Sequence, residues 1–295
     1  MTDHQLCIFG EVLFDHFPDG RRVLGGAPFN VAWHLQAFGQ APHLVSRVGA
    51  DAEGKTIRDA MLAWGMDSSG LQTDERLPTG RVDISFEDGE PRYDIVRPCA
   101  YDAIDGSEIS GGCRLLYHGS LAMREEASAR ALERIREAAP ETVFVDVNLR
   151  PPWWRRERVQ ALLHAADWVK LNTEELKQLH VPDDADATPE AADFVAAYRL
   201  RGLIVTHGAE GAEVLTAAGE RFSARPARDV AVVDTVGAGD AFASVVILGL
   251  ANDWPLQLTL ERAQAFASRL VGNRGATVSD PAFYQAFIDQ WNLAA

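Results

Sequence analysis

The chain has 295 residues, of which 47% are hydrophobic and 24% charged, a balance that supports one large buried core or two smaller ones and excludes disorder and collagen-like repeats. Its 28 basic residues against 43 acidic ones give a formal charge of −15, which repels a phosphate backbone, so no nucleic-acid partner is expected.

Short apolar runs alternate with segments of helical period. Residues 6–9 read as a first buried strand, and 12–17 alternate loosely between apolar and polar. Residues 43–48 form a second strand, and Asp51 reads as the N-cap of a helix reaching Trp64. Residues 81–86 alternate Arg81, Asp83 and Ser85 with Val82, Ile84 and Phe86; Asp88 and Gly89 supply a turn, and 92–96 resume the alternation. Further strands fall at 115–117, 143–147, 168–171 and 203–205. Between them, 127–138 put Ala127, Ala131 and Ile135 on one helical face, and 158–166 do the same with Val159, Leu162 and Leu163.

This repetition predicts an α/β fold, a doubly wound, mostly parallel sheet with helices on both faces. Residues of about 12–24 and 81–97 are expected to form a small antiparallel β lid that closes over a ligand. No linker or repeat interrupts the chain, so residues 1–295 are expected to form a single domain. An apolar outer face on the lid would join two copies as a homodimer.

Cys7, Cys99 and Cys113 are odd in number and form no C-x-x-C pair, which argues against a disulfide framework or a thiolate zinc site. The first ten residues lack the charge and apolar run of a signal peptide, and no stretch reaches the ~18 apolar residues of a membrane span. A cytoplasmic protein with no membrane partner is expected.

The segment Val232-Val233-Asp234-Thr235-Val236-Gly237-Ala238-Gly239-Asp240-Ala241-Phe242 precedes an apolar helix. Glycines 237 and 239 allow a tight turn at the helix start, where unpaired N–H groups and the positive dipole end can hold an anion such as phosphate. Asp240 in the first turn is placed to accept a proton from an attacking hydroxyl. The alternative is that Asp240 only complements the dipole and the glycines form a connection.

Residues 234–242 resemble the C-terminal signature of the ribokinase-like carbohydrate kinases, the PfkB family. Gly25-Gly26-Ala27-Pro28-Phe29-Asn30 resembles the same family's sugar-binding motif, and the likeness extends through Phe9-Gly10-Glu11 to Asp15, Asp146 to Trp153, Lys170 to Glu175 and Thr206 to Gly211. The wording of 146–153 is most similar to the fructokinase branch. The resemblance implies an ATP-dependent sugar kinase that transfers a γ-phosphoryl group to a primary hydroxyl of a ketose, with fructose as the leading substrate. Relatives acting on 2-keto-3-deoxygluconate, ribose or nucleosides carry similar motifs.

Carried over by position, the resemblance makes Asp240 the base, with the amides of Gly237, Ala238 and Gly239 stabilising the transferring group. Asp15, Gly25, Gly26 and Asn30 would hold the sugar hydroxyls, and Arg97 and Arg150 would present guanidinium forks to substrate or phosphate. For Asp15 a solvated strand position, for Asn30 a helix surface and for Arg97 a plain surface role are the alternatives. Asn172, Thr206, Gly208, Gly211 and Gly239 would line the ATP site. Asn172 and Glu175, spaced i, i+3 at a helix start, would act on hydrated Mg2+, form a capping pair, or both. Asp234 and the Val236 carbonyl would hold a monovalent cation such as K+.

Two readings compete. Residues 49–56 satisfy the P-loop pattern G-x-x-x-x-G-K-[ST] through Lys55, yet Asp51 and Glu53 would oppose the phosphates such a loop cradles. The other competitor is a sugar-binding regulator that has lost catalysis, against which Asp240 and both glycines speak.

Overall fold

The computed structural model describes residues 4–87, 90–109, 112–179, 191–226 and 231–293. The turn expected at Asp88 and Gly89 lies outside them. In chain order the elements are β1 (His4–Phe9), β2 (Leu13–His16), β3 (Arg22–Gly25), α1 (Ala27–Ala37), β4 (His43–Gly49), α2 (Ala52–Ala63), β5 (Leu71–Asp74), β6 (Gly80–Glu87), β7 (Glu90–Ile95), β8 (Cys113–His118) and α3 (Glu126–Glu137). They continue with β9 (Thr142–Asp146), α4 (Arg156–His164), β10 (Trp168–Asn172), α5 (Thr173–Leu179), α6 (Ala191–Tyr198), β11 (Gly202–Thr206), β12 (Ala212–Thr216), β13 (Arg221–Ala224), α7 (Ala238–Ala251), α8 (Leu256–Leu270) and α9 (Pro281–Trp291).

Among the described residues the large sheet has the order β13-β12-β11-β10-β9-β8-β1-β4-β5. From β11 through β5 the neighbours run parallel, and β12 and β13 turn back antiparallel at one edge. Side chains alternate across each strand, which divides the core into two faces. Leu6 and Ile8 of β1 pack with Phe29 and Leu35 of α1, Ile57 of α2, Val245 of α7, Phe266 of α8 and Tyr284 of α9. On the opposite face, Cys7 and Phe9 pack with Leu132 of α3, and Val169 with Val159 of α4 and Phe194 of α6. The chain is thus doubly wound.

Helix α7 is apolar around its circumference, so it is stable only as an interior helix. Residues 241–249 are all buried there. Its N-cap, Gly237, has φ 78°, and a Cβ at that position would stand 2.5 Å from Ala276 Cα. Glycine is therefore required for the chain to enter α7 at this angle.

The small sheet has the order β3-β2-β6-β7. Its two outer pairs are antiparallel, and the β2–β6 pair that joins them is parallel. Leu13, Val82, Ile84 and Ile95 root it in the core beside Tyr101 and Met123, while Phe86 and Tyr93 are exposed.

Candidate active site

The parallel strands end at one rim, and the order of connection reverses between β1 and β8, where α/β sheets open a crevice at their carboxyl ends. Gly10 to Asp15 leave β1 at this rim, the 147–150 loop leaves β9, Asn172 ends β10 and Thr206 ends β11. The N-terminus of α7 faces the same rim. Its first-turn amides, Gly239 and Asp240 among them, have no intrahelical acceptor. The Ala238 amide is the exception to the expected amide trio, since it reaches the Thr235 carbonyl at 3.3 Å.

Asp240 and Asn30 meet across the cleft between α7 and α1, where Asn30 Nδ2 donates to Asp240 Oδ2 at 2.8 Å. Burial, helped by nearby Asp146, pushes the Asp240 carboxyl up to about 6 against the opposing pull of the Asn30 hydrogen bond, Lys170 and Arg150. A carboxyl that titrates there is ionised near neutrality and still basic enough to accept a proton.

Beside this pair, the place where a Gly25 Cβ would stand is 3.9 Å from Asn30 Oδ1 and 4.0 Å from Asp15 Oδ2. Three of the expected sugar residues therefore surround one space. Gly26 caps α1 with φ 106°, and a Cβ there would stand 2.7 Å from the Glu11 carbonyl oxygen. Burial raises the Asp15 carboxyl, and the Arg150 guanidinium lowers it. Arg150 acts in the same direction on Glu11 and Asp240, which places its charge at this end of the cleft.

At the other end, Asn172 and Glu175 form a reciprocal cap: Glu175 N donates to Asn172 Oδ1 and Asn172 N to Glu175 Oε2, both at 2.9 Å. The second Glu175 oxygen accepts the Leu149 amide at 2.7 Å, which anchors the loop that carries Arg150. Direct coordination of a metal by Glu175 does not suit these contacts, and action through water does. Among the described residues, no group of three or more His, Cys, Asp or Glu side chains converges as a metal cage. Asp234 is occupied similarly, since its oxygens accept the amides of Val236 and Gly275, each at 3.0 Å.

Thr206 lies beside Thr173, whose hydroxyl bonds His207 Nδ1 at 2.9 Å. Gly208 and Gly211 follow in left-handed conformations, and Gly211 lies against Ala224 and Arg225. Next to them opens a cavity of about 810 Å³, lined by Ala224, Arg225, Gln264, Ser268, Arg269 and Gly272 among others. Sequence reasoning did not find this cavity, and residues of such ordinary type give no signal for it.

Some expectations are redirected. Arg97 Nη2 pairs with Glu125 Oε1 at 2.6 Å, and its guanidinium lies 5.9 Å from the Trp153 ring, so its fork is engaged by a carboxylate of the chain itself. The P-loop reading is overturned. Asp51 accepts the Gly54 amide and both the amide and hydroxyl of Thr79, which closes the loop on itself. Lys55 pairs with Asp59 on the surface.

Two charged groups at the rim were quoted only as parts of motifs. Glu11 is 4% exposed, and its Oε2 has no hydrogen-bond partner. Lys170 Nζ donates to both oxygens of Asp146, at 2.9 and 2.8 Å, and both side chains are buried. The detectable signal for the latter was a lysine inside the apolar run Trp168-Val169-Lys170-Leu171, because a buried charge requires a partner.

Residues 8–282 match the model of the pfkB family carbohydrate kinases. A fructokinase of Salmonella typhimurium is 32% identical over 93% of this chain and 95% of its own length. The probable fructokinase-7 of Arabidopsis thaliana is 28% identical over 92% of this chain and 88% of its own. The structure of an ATP-bound fructokinase from Xylella fastidiosa superposes with a TM-score of 0.84 at 23% identity, covering 98% of this chain and 99% of that one. A double-mutant fructokinase from Vibrio cholerae with fructose, ADP and potassium bound gives 0.79 at 25% identity, covering 96% and 97%.

Proposed function

The chain belongs to the pfkB family of carbohydrate kinases, and we propose that within it the protein transfers the γ-phosphoryl group of ATP to the primary hydroxyl of fructose, giving fructose 6-phosphate. The observation that carries this reading is the Asp240 carboxylate, held by Asn30 at the head of α7 beside the space shared by Gly25 and Asp15.

Asp15 and Asn30 hold the sugar hydroxyls, Gly25 lets the ligand approach the backbone, and Gly26 lets the turn that presents them pack against the Glu11 backbone. Asp240 takes the proton of the primary hydroxyl. The hydroxyl oxygen then bonds to the γ-phosphorus, the bond to the β–γ bridging oxygen breaks, and ADP leaves while the proton rests on Asp240. The α7 amides of Gly237, Gly239 and Asp240 and the Arg150 guanidinium face the negative charge of the transferring group. Asn172, Thr206, Gly208, Gly211 and Gly239 contact the nucleotide, whose base occupies the cavity beside Gln264 and Ser268. Mg2+ bound with the nucleotide neutralises phosphate charge, and Glu175 orders a water of its shell. Asp234 and the Val236 carbonyl take a monovalent cation such as K+ with the lone pairs that the loop amides leave.

Fructose is preferred over the acid 2-keto-3-deoxygluconate because Arg97, one of two cations available for a carboxylate, is paired with Glu125. The exposed Phe86 and Tyr93 support docking of a second copy through the small sheet, and a cytoplasmic setting goes with this reading. Among the described residues, no helix is long and apolar enough to cross a membrane.

The test is sugar-dependent ADP release with fructose, 2-keto-3-deoxygluconate and ribose. Fructose should give the highest kcat/KM; a preference for either other sugar overturns the substrate assignment, and ADP release independent of sugar overturns the kinase reading.

A further inference from the structure

The carboxylates around the phosphoryl-transfer end outnumber its visible cations. Asp240 heads α7, Asp146 ends β9, and Glu175 lies in the first turn of α5. A triphosphate brings several more negative charges to the same place. Like charges this close repel strongly in a site shielded from water, so the site needs a fixed positive charge.

Lys170 is that charge by position. Its side chain is 8% exposed, and Asp146 grips its ammonium with both oxygens. An ammonium has three N–H donors, of which Asp146 takes two. Where a Gly239 Cβ would stand is 3.5 Å from Lys170 Nζ, so the ammonium lies directly behind the second glycine of the α7 turn. The absence of a side chain there leaves only backbone between the lysine and an anion at the helix head. The field of Lys170 reaches Asp240 and Glu175 as well as Asp146. Burying an ion pair costs desolvation on both partners, and apolar replacements often stabilise such positions, so a pair at this rim calls for a use.

We propose that Lys170, clamped by Asp146, is the counter-charge of the phosphoryl-transfer site: one buried ammonium that offsets Asp240, Asp146 and Glu175 where the transferring phosphate must arrive. It is a positioning residue that acts through Asp240 and the α7 amides. The inference rests on Asp240 being the base. The titratable and charged groups facing Asp240 are Asp146 from β9, Lys170 from β10, Arg150 from the loop after β9, Glu11 from the link after β1 and Tyr117 from β8.

The experiment is the pH dependence of kcat/KM for the sugar at saturating ATP in the wild type, K170M, D146N and K170M/D146N. Loss of the ammonium in K170M should move the acid limb up by about one to two pH units and lower kcat by ~100-fold or more. D146N should move the limb down. The double variant removes one charge of each sign, avoids an unpaired buried charge, and should return the limb to within about half a pH unit of the wild type. A merely structural pair would change the melting temperature without moving the limb, and limbs that coincide in all four proteins overturn the proposal. Asp240→Asn separates the two levels: an acid limb that survives unchanged in that variant means that another group is the base, and the failure then belongs to the catalytic reading.

Discussion

Asn30 and Asp240 stand 210 positions apart in the chain and meet at 2.8 Å, the amide of α1 donating to the carboxylate of α7. The bond joins the sugar-binding turn to the phosphate-binding turn, so a change at either end reaches the other.

Asn30→Ala removes the donor that holds the Asp240 carboxyl down. In the wild type, kcat/KM should fall tenfold for each pH unit below about 6, because protonation of Asp240 removes the base. In the variant the acid limb should begin about one pH unit higher, and sugar kcat/KM at neutrality should fall by roughly 10- to 100-fold. Stopped-time assays between about pH 5 and 8 measure both; an unmoved limb would show that Asn30 does not act on Asp240.

Glu11 gives a pH effect on stability. Burial pushes its folded-state carboxyl up from 4.5 to about 7. The raised value means that the folded state holds the proton more tightly than the unfolded one, so this group lowers stability as pH rises from 4.5 to about 7 and its full cost is present above that. Glu11→Gln should therefore raise stability at about pH 8 by roughly 2–3 kcal/mol and have little effect near pH 4.5. Thermal melts of both proteins at the two pH values test it, and an equal gain at both would refute a titrating origin.

Asp15→Ala removes a carboxylate that holds substrate hydroxyls and leaves them unpaired, a loss of roughly 2–4 kcal/mol, so kcat/KM for fructose should drop ~30- to ~1000-fold with the ATP KM little changed. Arg97→Ala should cost less, because Arg97 is paired with Glu125. Comparable losses in the two variants would favour an acidic sugar.

Lys55→Ala should leave the ATP KM within about threefold, as expected for an exposed i, i+4 partner of Asp59. Loss of nucleotide binding in that variant would restore the P-loop reading.

Much of this site was legible because its chemistry is local. The glycine turn before Asp240 and the Asn172–Glu175 cap are short-range patterns, and short apolar runs mark β1, β9 and β11 and, broken by polar residues, β4 and β10. The parallel β2–β6 pair was not legible, since it joins segments far apart and turn residues announce only neighbouring pairs. Edge strand β13 and its neighbour β12 were missed because Arg221-Phe222-Ser223-Ala224 and Ala212-Glu213-Val214-Leu215-Thr216 hold no apolar run longer than two residues. Lys170 and Asp146 were in view as residues, but their pairing depends on adjacent parallel strands whose register the sequence does not state.

Asp240→Asn tests the chemistry most directly, because it keeps the side-chain shape and removes the proton acceptor. Steady-state turnover of fructose and ATP should fall by about two to four orders of magnitude. Fructose affinity, measured by calorimetry on the same variant, should stay within a few-fold of the wild type. Turnover close to that of the wild type would contradict the assignment of Asp240 as the base.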